Sequence, residues 1–356
     1  MKTFFDEVKV GSLSLKNRIV MAPLTRQRSG SERIPNELMR EYYSQRSNAG
    51  LILTEATAVD PMGVGYADTP GIWSQAQVEG WKKITNDVHA QGSKIFLQLW
   101  HVGRISDPSF LNGETPVAPS AVRPEGFVSL VRPKKEFVTP RALETNEVKQ
   151  IVEQFRRGAE NAKLAGFDGV EIHGANGYLP DQFLQSGTNK RTDEYGGSVE
   201  NRARFLLEIT DAAIETWGAD RVGVHLAPRG DSNYISDANP KETFSYVATE
   251  LRKRMIAFIF IRERQGDGYL TPVIKDIFKG VVIANEGLTI EQAQQLLESG
   301  SADLVSFGKL YISNPDLVDR LKSSAPLAPP DTSTFYSPGP AGYVDYPTHR
   351  ESTIRL

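Results

Sequence analysis

Eight short apolar runs, each followed by a stretch with helical spacing, restrict the fold of this 356-residue chain more than any other feature. The runs are Arg18–Ala22, Leu51–Thr54, Lys94–Leu99, Gly169–His173, Val222–Ala227, Phe258–Arg262, Val281–Asn285 and Leu304–Gly308. They are rich in Val, Ile, Leu and Phe and nearly continuous in apolarity, as strands buried on both faces of a parallel sheet are. Predicted helices separate them, among them Asn36–Ala49, Ser74–Ala90 with a Ser74 cap, Thr145–Ala165 with a Thr145 cap and Ser198–Trp217. Pro240–Arg254, Thr271–Phe278, Thr289–Ser299 and Asp316–Ser323 complete the set. Eight strand–helix units in series predict an α/β protein with a closed (β/α)8 TIM barrel. A rule of about 150 residues per domain would allow two domains, but one barrel domain over residues 1–356 accounts for the length. An open doubly wound sheet is the competitor. It lacks the G-x-G-x-x-G that should follow a strand, and Gly63-Val64-Gly65 lies in a loop without the third glycine.

Four stretches exceed a minimal barrel. Lys2–Leu15 reads as a hairpin around Gly11-Ser12 that plugs the barrel bottom. His101–Thr139 and Tyr178–Gly197 are long insertions after strands 3 and 4. Both leave C-terminal strand ends, where barrel enzymes keep their active sites. The tail from about 325 to 356 carries Phe335, Tyr336, Tyr343 and Tyr346. It is expected to pack on the barrel, with only its final ten or so residues loose.

Composition removes several functions. Forty-one Lys and Arg against 44 Asp and Glu give a net charge of −3, without the basic excess of a nucleic-acid binder. No run of 18 apolar residues suits a membrane span, and Asp6, Glu7 and Lys9 interrupt any signal-peptide core. Cysteine is absent, so disulfides and thiolate chemistry are excluded, and a cytoplasmic location is expected. The five histidines form no H-E-x-x-H or H-x-H pair, so no metal site is expected. No G-x-S-x-G elbow supports a serine hydrolase.

The densest polar stretch is residues 171–202. His173 closes strand 4, with Asn176 and Tyr178 shortly beyond. His173 and Asn176 can both donate to one oxygen and stabilise charge developing there, while Tyr178 can supply a proton. A lone histidine in such a place is more often a satisfied core residue, and Tyr178 could be a packing aromatic. The three together favour a site. Thr25 ends strand 1, and Gln98 and Trp100 share one face of strand 3 by alternation. An amide and an indole at the barrel mouth suit a flat heterocycle with imide groups, although Trp100 alone could be core. Asn285-Glu286-Gly287 and Phe307-Gly308-Lys309 stand at the ends of strands 7 and 8, where barrels often bind phosphate.

In combination these residues resemble the old yellow enzyme family of FMN-dependent ene-reductases, including N-ethylmaleimide and xenobiotic reductases. The likeness runs from NRIVMAPLTR at 17–26 to FYSPGPAGYVDYP at 335–347 and is most specific in HGANGYLPDQFLQSGTNKRTDEYGGSVENR. TEATAVDPMGVGYADTPGIWS, FLQLWHVGR and NPDLVDRL match in order as well. The resemblance implies tightly bound, non-covalent FMN and an NAD(P)H-dependent enzyme of the NADPH dehydrogenase type. Its ping-pong reaction passes hydride from NADPH or NADH to the flavin N5, then to the β-carbon of activated alkenes. Enones, enals, maleimides and nitroalkenes are the implied substrates, with nitro compounds and nitrate esters as alternative oxidants.

The resemblance also assigns roles. Pro23, Leu24 and Ala56 line the flavin ring, Thr25 bonds its C4 carbonyl and Gln98 binds its pyrimidine edge. His173 and Asn176 hold the substrate oxygen, Tyr178 protonates the α-carbon, and Tyr66, Trp100 and Tyr336 shape the substrate pocket. Asn285, Gly287, Gly308 and Lys309 fall at the cofactor's phosphate end. Two positions depart from the family. His225 stands where strand 5 often carries Arg beside the flavin N1/C2 edge, so stabilisation of the reduced ring is weaker or comes from Arg262. Lys309 replaces a common Arg. The partner is expected to be a small molecule, with neither nucleic acid nor membrane, and the protein a monomer or weak homodimer. Two rival readings are a non-flavin barrel lyase, which needs an inward Lys at the mouth, and a non-enzymatic flavin sensor, which needs no proton donor.

Overall fold

A computed structural model describes residues 2–354. Its barrel strands are β1 (Ile19–Met21), β2 (Leu51–Leu53), β3 (Ile95–Trp100), β4 (Gly169–Gly174), β5 (Val222–Leu226), β6 (Phe258–Arg262), β7 (Val281–Asn285) and β8 (Leu304–Phe307). Each pairs in parallel with the next, and β8 pairs with β1 to close the barrel. Strand 3 is shifted by one residue from the expected Lys94–Leu99, because Trp100 pairs with Ala58 of a short added strand, Thr57–Ala58.

The outer helices are α1 (Glu37–Gln45), α2 (Gln75–Ala90), α3 (Thr145–Leu164), α4 (Val199–Trp217), α5 (Pro240–Arg254), α6 (Thr271–Phe278), α7 (Ile290–Glu298) and α8 (Leu317–Ser323). Local chemistry sets their starts. Ser74 and Thr289 form capping boxes with Gln77 and Gln292, and Ser198 accepts from the Asn201 amide. The expected Thr145 cap is corrected: Glu144 and Glu147 form the box, while the Thr145 hydroxyl donates to Asp193 at 2.8 Å. Helix α1 is shorter than Asn36–Ala49, with Asn36 as its cap and Arg46 just past its end.

Alternation divides the strand residues between two cores. Ile19, Ile52, Leu97, Ile172, Val224 and Ile261 point outward and pack on the helices. Val20, Leu51, Leu53, Phe96, Phe258, Ile283 and Leu304 point inward and pack with Val10, Leu13 and Leu15 of the N-terminal hairpin. The hairpin strands Val8–Val10 and Leu13–Leu15 therefore seal the barrel bottom, and the interior opens only at the other end.

The tail packs on the barrel because buried arginines grip its backbone. Arg28 donates to the carbonyls of Phe335 (2.7 Å) and Thr334 (2.8 Å), and Arg26 to those of Phe335 (3.0 Å) and Gly342 (2.8 Å). Tyr343 stacks on Tyr42 with ring centroids 4.1 Å apart. His349–Ile354 form a short helix, and the His349 amide donates to Asp316. Residues 355 and 356 lie outside the described residues. Among the described residues, no helix is long and apolar enough to cross a membrane, and no cluster of His, Asp and Glu could hold a metal ion.

Candidate active site

Above the apolar plug the inward positions become polar: Gln98 on β3, Glu171 and His173 on β4, His225 on β5, Arg262 on β6 and Ser306 on β8. They stand under a cavity of about 990 Å³ at the C-terminal ends of the strands. The same cavity is lined by Pro23, Leu24, Thr25, Ala56, Tyr66, Asn176, Tyr178, Asn285, Gly287, Gly308, Lys309 and Tyr336. One expected pocket residue does not reach it. Trp100 is fully buried behind Tyr66, whose ring stacks on it at 5.5 Å, and Tyr178, which meets it edge-on at 5.1 Å. The indole therefore backs these two rings.

A chain of hydrogen bonds orients the floor. The Gln98 Nε2 amide donates to Glu171 Oε2 at 2.7 Å and faces His225 Nδ1 at 3.2 Å. Both amide hydrogens are then engaged, so Nδ1 is the acceptor and the His225 proton resides on Nε2. That buried Nε2 has no partner in the protein, and Gln98 Oε1 receives no hydrogen bond from it either. An unpaired imidazole donor and a carboxamide lining the same cavity fit the imide edge of a flat heterocycle. Burial, with His173 and Arg262 nearby, holds the His225 imidazole well below its ordinary pKa, so it is neutral. Burial pushes the Glu171 carboxyl up to about 8.

The donor set stands next to this floor, with His173 stacked on His225. His173 is held down to about 3, chiefly by burial and secondarily by Arg262, and its Nδ1 has no partner. Asn176 sits in the left-handed region at φ 60°, and its backbone carbonyl accepts from Asn233. Its side-chain Oδ1 accepts from Arg262 Nη1 at 2.7 Å. Tyr178 precedes the short helix Leu179–Leu184, and its ring meets His173 edge-on at 5.0 Å. Its hydroxyl lies 2.9 Å from that of Tyr66. Burial raises the Tyr178 pKa well above 10, so the phenol keeps its proton.

At the far end, Glu286 and Gly287 follow β7 with φ 92° and 66°, a turn that glycine adopts without a Cβ penalty. A Cβ on Gly287 would come within 3.6 Å of Arg264 Nε, so a guanidinium flanks this turn. Lys309 follows Gly308 on the adjacent rim. Backbone amides and two cations suit a phosphate.

Sequence reasoning missed Arg264, Ser129, Leu130, Phe260 and Phe335 as cavity-lining residues. Phe335 was legible only as an aromatic in a Pro- and Gly-rich tail, and Ser129 and Leu130 lie in the long insertion without a local signal.

Comparison with known proteins shows the family. The model of the NADH:flavin oxidoreductase / NADH oxidase family matches residues 3–328. A putative 12-oxophytodienoate reductase 11 of Oryza sativa subsp. japonica is 44% identical over 357 residues, 95% of both chains. A probable flavin mononucleotide-dependent alkene reductase of Leishmania infantum is 43% identical over 350 residues, again 95% of both. Among solved structures, an old yellow enzyme homologue from Zymomonas mobilis superposes with TM-score 0.94 at 43% identity, covering 97% of this chain and 99% of that one. Morphinone reductase in complex with tetrahydroNAD superposes with TM-score 0.94 at 45% identity, covering 99% of each.

Proposed function

The chain belongs to the NADH:flavin oxidoreductase / NADH oxidase family, and we propose that it is an FMN-dependent ene-reductase acting on activated alkenes. One observation carries the reading. His173, Asn176 and Tyr178 line the same cavity as Gln98 and His225, whose buried Nε2 has no partner. The donors thus share a chamber with groups suited to the edge of an imide-bearing ring.

In this reading Pro23, Leu24, Thr25 and Ala56 flank the FMN ring, and Gln98 and His225 meet its pyrimidine edge. Asn285, Gly287, Gly308 and Lys309 hold its phosphate end. When bound, FMN supplies two-electron chemistry, charged by NADPH or NADH and delivered to the alkene β-carbon. The protein's own groups do the rest. Neutral His173 donates one N–H and Asn176 its Nδ2–H to the carbonyl or nitro oxygen, withdrawing charge from the alkene. The Tyr66 and Tyr178 hydroxyls lie 2.9 Å apart; with Tyr66 as the donor of that contact, the Tyr178 O–H is free to protonate the α-carbon. Tyr66 and Tyr336 bound the substrate space. NADPH as the preferred donor, a cytoplasmic setting suited to a cysteine-free chain, and a monomer or weak homodimer complete the proposal.

The lyase reading finds no inward lysine at the mouth: of the described residues lining the cavity, the lysine is Lys309, exposed after β8. The deciding experiment is an absorbance spectrum of the purified protein, followed by anaerobic NADPH titration and addition of cyclohexenone. A yellow protein that bleaches and then recovers supports the reading. A colourless protein that binds no added FMN overturns it.

A further inference from the structure

Arg262 closes strand β6 and reaches across the cavity wall. Its Nη1 donates to Asn176 Oδ1 at 2.7 Å and to Ser232 Oγ at 3.0 Å, and its Nε donates to Glu286 Oε2 at 2.6 Å. A guanidinium has only donors. It can therefore meet the Asn176 carboxamide only at the oxygen, and with the amide turned over, two donors would face each other. We propose that Arg262, clamped by Glu286, is a positioning residue that locks the Asn176 amide with its NH2 toward the substrate oxygen.

Four features support this. The Asn176 Nδ2 has no hydrogen-bond partner among the described residues, so its hydrogens are available. Asn176 occupies a left-handed backbone conformation, and its side chain comes from a loop, so local structure alone does not select its amide orientation. A positive charge on Oδ1 also polarises the carboxamide and strengthens its N–H as a donor. Glu286 in turn fixes the Arg262 fork, since its carboxylate holds Nε and leaves Nη1 aimed at Asn176.

The inference rests on the proposed ene-reductase reading, and the two fail separately: turnover of cyclohexenone by the wild-type holoenzyme tests the reading alone. For the inference, FMN-loaded R262M, N176A and the double variant are compared in enone KM, kcat and rate of flavin reduction by NADPH. A charge-assisted hydrogen bond of this kind predicts about a tenfold or greater loss in enone kcat/KM for R262M. The double variant should lose no more than N176A alone, because both act through one amide. Flavin reduction by NADPH should change less than enone turnover. R262K, which keeps a donor but not the fork, should recover part of the loss.

A second measurement covers poor folding of R262M. E286Q should raise enone KM in the same direction, and perturbation of the flavin spectrum by a saturated ketone should weaken in parallel. Additive losses in the double variant, or an R262M enzyme with wild-type enone KM and kcat, would overturn the inference.

Discussion

The imidazoles of His173 and His225 lie face to face, with centroids 4.9 Å apart and planes 11° from parallel. They stand opposite each other on paired strands β4 and β5. Two stacked cations beside Arg262 would repel, and burial alone already disfavours charge. Both rings are therefore neutral across the physiological range. The pH profile of enone kcat/KM between pH 5 and 8 should lack an imidazole ionisation near 6.5. A clear break there, abolished by H173A or H225N, would contradict the assignment. The sign for stability follows. With His173 depressed to about 3, its contribution is present above the unfolded value near 6.5 and is lost as pH falls toward 3.

Glu171 works in the opposite direction. Its carboxyl, raised to about 8, contributes stability fully below the unfolded value near 4.5 and loses it as pH rises through 8. Glu171→Gln keeps an oxygen for Gln98 and removes the ionisation. The wild type should therefore lose thermal stability between about pH 5 and pH 8, and the variant should show a flatter curve over that range, readable as Tm by calorimetry. Identical slopes between pH 5 and 8 would place the loss elsewhere.

Tyr178→Phe removes the proposed proton donor while retaining the ring that packs on Trp100. Enone reduction should fall by about a hundredfold or more, whereas flavin reduction by NADPH should be little changed. Stopped-flow measurement of the two half-reactions separates them. Tyr66→Phe, which loses the 2.9 Å contact between hydroxyls, should show a smaller loss in the same half-reaction.

Gly287→Val combines a left-handed backbone penalty of roughly 1 to 3 kcal/mol with a side chain placed beside Arg264 at the phosphate turn. The variant should purify with much less FMN per chain, measured as the visible-to-ultraviolet absorbance ratio. Full FMN content would move the phosphate away from this turn.

Arg28→Ala removes donors to several tail carbonyls, including those of Thr334 and Phe335. Because the tail brings Phe335 and Tyr336 to the cavity, the variant should be cut faster by protease near 334–342 and should bind enones more weakly. Mass spectrometry of the first fragments and the enone KM give the two readouts. Unchanged proteolysis would mean that Arg26 and the Tyr42–Tyr343 stack suffice.

The eight strand–helix units, the bottom hairpin and the polar residues at strand ends were all legible in the chain, because periodicity and capping act within a few residues. The strip around His173, Asn176 and Tyr178 was legible for the same reason. The tertiary structure decided which of these groups meet. Gln98 faces His225 across 127 positions, and Arg262 binds Asn176 across 86, so the orientation of one amide and the tautomer of one ring depend on partners far away in sequence. Trp100 alternated correctly onto the inner face, yet Tyr66 from another loop covers it. Strand alternation assigns a side chain to a face, but only closure of the barrel in a fixed register sets the level at which it stands and the neighbours that satisfy its hydrogen bonds.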